Sequence, residues 1–249
     1  MPILEKEATS VSEYLSIIAG LISDWSTPEY GEMRPWFRGH KQAEWSLVPG
    51  EYRFTDIDPD EIRSEFVLKA RALLAYPPSS DWEWYFLMQH HGLPTRLLDW
   101  TAGSLIGLHF ALCHDTGQSD AAVWVLDPWA LNKRSTKKSD LVLTSDSYSD
   151  RYLYPAYRQK RIPRRPIAIV PPYNSPRITV QRGAFTVHGS NPRGIDEQFK
   201  HALAKIHLGR EHCIQMRREL RHAGISEFTL FPDLDGLSRD IRAAEIEGC

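Results

Sequence analysis

The run AAVWVL, residues 121–126, sets six apolar residues in a row between Asp120 and Asp127. It is short for a helix and carries two β-branched valines, so it reads as a buried strand. A buried strand needs neighbours to bond its backbone and other elements to cover it. The rest of the chain supplies both. Residues 10–25, SVSEYLSIIAGLISDW, place apolar groups at helical spacing, with Ser10 or Ser12 as cap. Residues 59–75 form a second amphipathic helix, with Asp58 as cap and Pro59 in its first turn. SDWEWYFLMQHHG predicts a third helix, capped by Ser80 or Asp81 and stopped at Gly92, and SLIGLHFALCH a fourth, mostly apolar and buried. Trp36 and Phe37 before Arg38 read as a strand, and PIAIVPP, RITVQRGAFTVH and ISEFTLF as further strands. DEQFKHALAKI, EHCIQMRRELRHAG and DLDGLSRDIRAAEI predict late helices. Residues 132–165 are rich in Ser, Lys, Arg and Tyr and read as a surface excursion. Helices early and late, with most strands between, predict an α+β fold: one domain, a mixed or antiparallel central sheet, and flanking helices.

Bulk properties narrow the function classes. The net charge of −2 over 249 residues leaves no whole-molecule field to draw nucleic acid, so an anion site must be local. The three cysteines are odd in number and lack metal-type spacing, which speaks against a disulfide framework and fits a reducing cytoplasm. PILEKEATSVSEYL does not have the pattern of a signal peptide, and no apolar stretch approaches the ~20 residues of a bilayer span. A cytoplasmic chain without a membrane partner is the expectation.

Four stretches carry candidate chemistry. In PWFRGH, Arg38 sits among aromatics; a guanidinium can clamp a phosphate or carboxylate two bonds at a time, or pair with a structural acid such as Asp99 or Glu65. Gly39 allows close backbone approach. The stretch 89–104 packs Gln89, His90, His91, Thr95, Arg96, Asp99, Trp100, Thr101 and Ser104 between apolar runs. So many polar side chains beside a buried helix either bond one another or line a pocket. Arg96 and Asp99 can neutralise each other, and Thr101 or Ser104 can cap the following helix. His90 and His91 point different ways on a helix, so no metal is expected from them. In RITVQRGAFTVH, a strand would put Gln181 and Gly183 on one face; Gln181 must bond a backbone group or a ligand. RQKRIPRR, 158–165, holds five positive charges, Arg158, Lys160, Arg161, Arg164 and Arg165, which a phosphate-bearing acceptor or solvent alone can satisfy.

Taken together, PWFRGH, QHHGLPTRLLDWT with its apolar helix, ITVQRGAFTVH and EFTLFPDLDGL resemble the FRG-domain proteins, named for a Phe-Arg-Gly motif, over about Val11 to Arg242. That resemblance implies a bacterial or phage-associated chain, with a toxin or phage-defence role and an antitoxin or chaperone partner among the expectations. The layout also resembles NAD-dependent ADP-ribosyltransferases. This second resemblance implies an ADP-ribosyltransferase-like fold with NAD as substrate. NAD would be held by Arg38, Gly39, His40, Gln89, His91, Thr95, Arg96, Trp100 and Ser104. Arg38, Thr101, Gln181 and Asp99 would form the catalytic set, and the basic loop would hold a nucleic acid acceptor, RNA favoured. Gln181 stands where those enzymes place a glutamate. An amide cannot act as a base or carry negative charge, so Asp99 or Glu227 would serve instead, or Gln181 would only orient the acceptor. The contrasting expectation is a nucleotide or nucleic-acid binding module without turnover.

Overall fold

The computed structural model describes residues 2–28, 31–113, 119–153, 162–172 and 176–245. Its strands are β1 (Leu4–Glu7), β2 (Trp36–His40), β3 (Leu97–Thr101), β4 (Ala121–Leu126), β5 (Val142–Leu143), β6 (Ile167–Val170), β7 (Gly183–Val187) and β8 (Leu203–Leu208). They form one mixed sheet in the order β1-β8-β4-β2-β3-β7-β6-β5. β4 is the run AAVWVL, buried at every position. It is bonded antiparallel to β8 on one side and β2 on the other. β1 joins β8 in parallel, and β5 joins β6 in parallel.

The early helices start where their caps place them. α1 (Val11–Trp25) has Ser10 accepting from the Glu13 N–H, and α2 (Pro59–Ala70) has Asp58 accepting from Asp60 and Glu61. α3 (Asp81–His90) is capped by Ser80 and ends before Gly92, whose φ of +77° is the left-handed turn that a glycine adopts without strain. α4 (Ser104–Leu112) has Gly103 at its N-cap with no side-chain cap, so neither Thr101 nor Ser104 fills that role. α5 (Pro128–Thr136) is capped by Asp127. Then come α6 (Pro176–Val180), α7 (Ile195–Gln198), α8 (Arg210–His222), α9 (Glu227–Leu230) and α10 (Leu234–Glu245).

The helices cover both faces of the sheet. Tyr14 and Ile18 of α1, Leu108 and Leu112 of α4, and Met216 and Leu220 of α8 pack on Phe37, Val123, Val125 and Ile206. Leu131 of α5 and Ile195 of α7 pack on Trp36, Leu98, Trp124 and Leu126 on the opposite side. Trp82, Tyr85 and Phe86 of α3 pack on Leu97, Ile167, Phe185 and Val187. Phe37 pairs with Thr101, and Leu97 shares the Thr101 side of β3, so α4 and α3 lie over the same face on neighbouring halves of the sheet. α4 reaches β2 because two side chains are missing. A Cβ on Gly39 would meet the Ala111 nitrogen at 2.2 Å, and one on Gly107 would meet the Phe37 Cβ at 2.6 Å.

Between those halves the sheet is split. β2 pairs with β4 along its whole length but with β3 only at Phe37–Thr101. Beyond that pair the two strands part.

Several sequence expectations are corrected. RITVQ is the helix α6 and a turn, because Arg182 takes φ +48° and closes a bond to the Thr179 carbonyl before β7 begins. Gln181 and Gly183 therefore do not share a strand face. FTL of ISEFTLF lies in α9, whose N-terminus is held by a reciprocal capping box between Ser226 and Thr229. DEQFKHALAKI is only briefly helical, and its second half is β8. Residues 132–165 are not wholly a surface excursion: Asn132, Ser149 and Tyr152 are buried, and Asn132 bonds both the N–H and the carbonyl of Ala168 on β6. Among the described residues no helix is long and apolar enough to cross a membrane.

Candidate functional site

A cleft of about 800 Å³ opens where β2 and β3 part. Its floor comes from β2, β3 and the start of β7, and its walls from α3, the end of α4 and the α9–α10 segment. Arg38, Asp99, Thr101 and Gln181 all line it, with Gly39, His40, Gln89 and Trp100.

Arg38 spans the split. Its Nη1 donates to the Asp99 backbone carbonyl on β3 at 2.7 Å and lies 3.7 Å from the Asp99 carboxylate. Its Nε donates to His40 Nε2 at 3.1 Å, and the other ring nitrogen of His40 donates to the Trp45 carbonyl at 3.1 Å. Those two bonds require a neutral imidazole with its proton on Nδ1. Burial, followed by the Arg38 charge, pushes the His40 pKa down to about 3, which keeps the ring neutral. Burial also lowers the Arg38 pKa and Asp99 opposes it; the guanidinium stays charged. Its Nη2 makes no hydrogen bond to any described residue. Glu65, the other acid considered for Arg38, pairs with Lys69.

The segment after α3 buttresses this arrangement. The Thr95 hydroxyl donates to Gln89 Oε1, and Gln89 Nε2 donates to Asp99 Oδ2 at 2.7 Å. Thr95, Gln89, Asp99 and Arg38 thus form one connected chain, which accounts for much of the polar content of this stretch. Thr95 is fully buried behind the cleft and touches it only through Gln89. The Thr101 hydroxyl donates to the Gln181 carbonyl at 2.7 Å and accepts from the Gly103 N–H at 3.0 Å. It therefore ties the end of β3 to the turn before β7. Gln181 Nε2 donates to the Leu230 carbonyl at 3.2 Å, which ties that turn to α9.

Some expected site residues are elsewhere. Arg96 is fully buried and does not reach the cleft. Its Nη1 bonds the His188 carbonyl at 2.9 Å, its Nη2 the Tyr152 carbonyl, and its Nε faces Glu51 at 3.6 Å. It pairs with Glu51 and not with Asp99, because alternate residues of an extended chain point to opposite faces and the odd separation sends the two apart. His91 is exposed outside the cleft against the Phe66 ring, since it follows the last turn of α3. Ser104 lies off the cleft, and its carbonyl accepts from the Tyr14 hydroxyl. Trp100 borders the cleft, but its indole is almost wholly buried and bonds Thr186. Gly39 borders it too, although the space left by its missing side chain is filled by α4. Arg164 and Arg165 do not line the cleft, and Arg165 bonds the Arg134 carbonyl. Arg158, Lys160 and Arg161 lie outside the described residues.

Other lining residues escaped the sequence reading or entered it only in passing. Lys41 and Arg53 add positive charge near Arg38 and Cys113. From the far end of the chain come Glu227, Phe231, Asp233, Asp235 and Arg239. Glu227 is held on one oxygen by His109 Nε2 at 3.2 Å and on the other by Arg239 Nε at 3.0 Å. Asp233 does cap a helix start, accepting from the Gly236 N–H at 2.7 Å, and still borders the cleft. Cys113 lines it as well, but burial pushes its thiol up to about 11, so it is no ready nucleophile. The signal for the wall is the polar-aromatic mixture of EFTLFPDLDGLSR, where helix capping is a sufficient local use for the acids.

No curated protein and no solved structure matches the chain. The family model of the FRG domain matches residues 33–120, a stretch that holds β2, α3, β3 and α4 and does not extend to Gln181 or Glu227. The Phe37-Arg38-Gly39 triplet, the residues that buttress it and the helix packed on it are all inside that match, and the chain carries an FRG domain.

Proposed function

We propose that the cleft binds a dinucleotide and that the chain is an NAD-dependent ADP-ribosyltransferase-like transferase. One observation carries this reading: Arg38, Asp99 with Thr101, and Gln181 stand on or beside three successive strands, β2, β3 and β7, and border one cleft. The Nη2 of Arg38 and the neighbouring Lys41 and Arg53 suit a pyrophosphate. Phe110 and Phe231, edge to face at 6.2 Å, offer apolar surface for the ring system.

In such a transfer the bond between the ribose C1′ and the nicotinamide nitrogen breaks. Its electron pair leaves with the nicotinamide, which loses its positive charge. An acceptor oxygen or nitrogen attacks C1′ and gives up its proton. The cation-like sugar needs a carboxylate, and Asp99 is the better placed of the two candidates that border the cleft: its side chain is 56% exposed, whereas that of Glu227 is 11% exposed and held on both oxygens. Gln181 then orients the acceptor. The acceptor class, nucleic acid or protein, and a toxin or phage-defence role with a neutralising partner rest on the resemblances alone.

The amide at Gln181 favours a second reading, a nucleotide-binding module without turnover. Incubation of the chain with labelled NAD and separate protein, RNA and DNA fractions distinguishes the two. Transfer predicts nicotinamide release and label on one fraction, both abolished by Arg38→Ala in a chain that stays folded. Absence of release with every acceptor, together with salt-dependent binding weakened by Arg38→Ala, would establish the module instead.

A further inference from the structure

We propose that His109, Cys113 and Glu227 form a zinc-class metal site in the cleft wall, distinct from the Arg38 cluster. No step of the transferase reading passes through it. The His109, Cys113 and Glu227 ligand atoms all lie within 4.8 Å of one another. His109 Nε2 and Glu227 Oε1 are 3.2 Å apart. Two ligands bound at ~2.0–2.1 Å to a tetrahedral ion stand about 3.3 Å apart, so this pair already has the required separation. His109 and Cys113 are four residues apart, at and just beyond the last turn of α4, and so share one side of the helix. Glu227 opens α9, whose start is fixed by the Ser226–Thr229 capping box. The Cys113 sulfur now donates to the Phe110 carbonyl at 3.5 Å and would exchange that bond for the metal.

The surroundings suit an ion. Arg239 Nε holds the second oxygen of Glu227 at 3.0 Å, an outer contact that orients the carboxylate with Oε1 turned towards His109. A thiolate and a carboxylate balance a divalent charge. His109 and Glu227 are largely buried, while Cys113 and Glu227 border the cleft, so three protein ligands would leave a fourth position towards it. A mixed nitrogen, sulfur and oxygen set favours zinc over magnesium or calcium, which take oxygen. On binding, the ion takes the place of the proton that His109 Nε2 donates to Glu227; that proton and the Cys113 thiol proton go to solvent, and His109 stays neutral with its remaining proton on Nδ1.

The test uses the full chain freed of metal by chelation. Calorimetric titration with zinc sulfate should give one ion per chain, and cobalt(II) should show a thiolate-to-metal charge-transfer band. Cys113→Ser should abolish the band, and Glu227→Gln should weaken zinc binding at least tenfold. Absence of stoichiometric binding, or a band unchanged in Cys113→Ser, would overturn the proposal and leave a plain ion pair between α9 and α4. Should the variants fail to fold, the wild-type chain still decides: at a pH and exposure time that let iodoacetamide alkylate Cys113 of the zinc-free chain, read by peptide mass, zinc should suppress the reaction, and equal alkylation under those conditions would refute the site. Nicotinamide release is measured on zinc-loaded and zinc-free chain alike; its absence would sink the transferase reading while leaving the zinc result intact.

Discussion

Arg38 and Arg96 look alike on paper, each a cation set among apolar residues, yet they do opposite work. Arg96 is an internal cation whose partners are Glu51 and two carbonyls. Arg96→Ala leaves a buried carboxylate and unpaired carbonyls, and should cost about 3–5 kcal/mol in urea unfolding. Arg38→Ala removes two hydrogen bonds at the edge of a cleft and should cost about 1 kcal/mol or less. Equal losses for the two variants would contradict this division. Histidine supplies a pH dependence. Burial, with a neighbouring arginine adding to it, pushes His40 and His188 down from the ordinary 6.5 to about 3. Between those values the unfolded chain takes up protons that the fold refuses. Stability should therefore fall, by on the order of a few kcal/mol, as pH drops from about 6.5 towards about 3, then level off. Denaturant midpoints that stay flat across that window would disprove it.

At the scale of elements, legibility tracked local chemistry. Ser10, Asp58 and Ser80 each cap the helix that follows them, because a cap is a contact over two or three residues. AAVWVL was equally legible, since its shortness and its two valines both favour a buried strand over a helix. RITVQ misled because its β-branched residues favour a strand, whereas the bond that the Ala102 N–H donates to the Arg182 carbonyl holds the turn that begins β7. LAKIHL misled the other way: Ala and Lys favour helix, and only the places on either side of β8, taken by β1 and β4, make it a strand. The four-residue α9 depends on its capping box, so Ser226→Ala should cost about 1 kcal/mol and loosen the wall that carries Glu227. Thermal unfolding measures the first effect, and unchanged stability would show that tertiary contacts alone hold α9.

Across the whole molecule, protection should follow the strand order. β4 and β8 lie inside the sheet beneath helices, while β1 is exposed at all four positions and β5 is a two-residue edge. Hydrogen exchange should be slowest in β4 and β8 and fastest in β1 and β5, and comparable protection of β1 and β4 would refute the prediction. The split between β2 and β3 belongs to this scale as well. It opens the cleft, and nothing in WFRGH or LLDWT announces it.

By itself the sequence determined the early capped helices, the buried central strand, the α+β character and the FRG stretch, all of which rest on contacts between near neighbours, on motif residues or on apolar runs that must be covered. Only the tertiary structure decided which arginine faces the cleft, that Gln181 sits in a turn, and that Glu227 and Arg239 close the far wall. The reason is physical: each depends on strand order and on where two strands part, and these follow from packing between residues far apart in the chain.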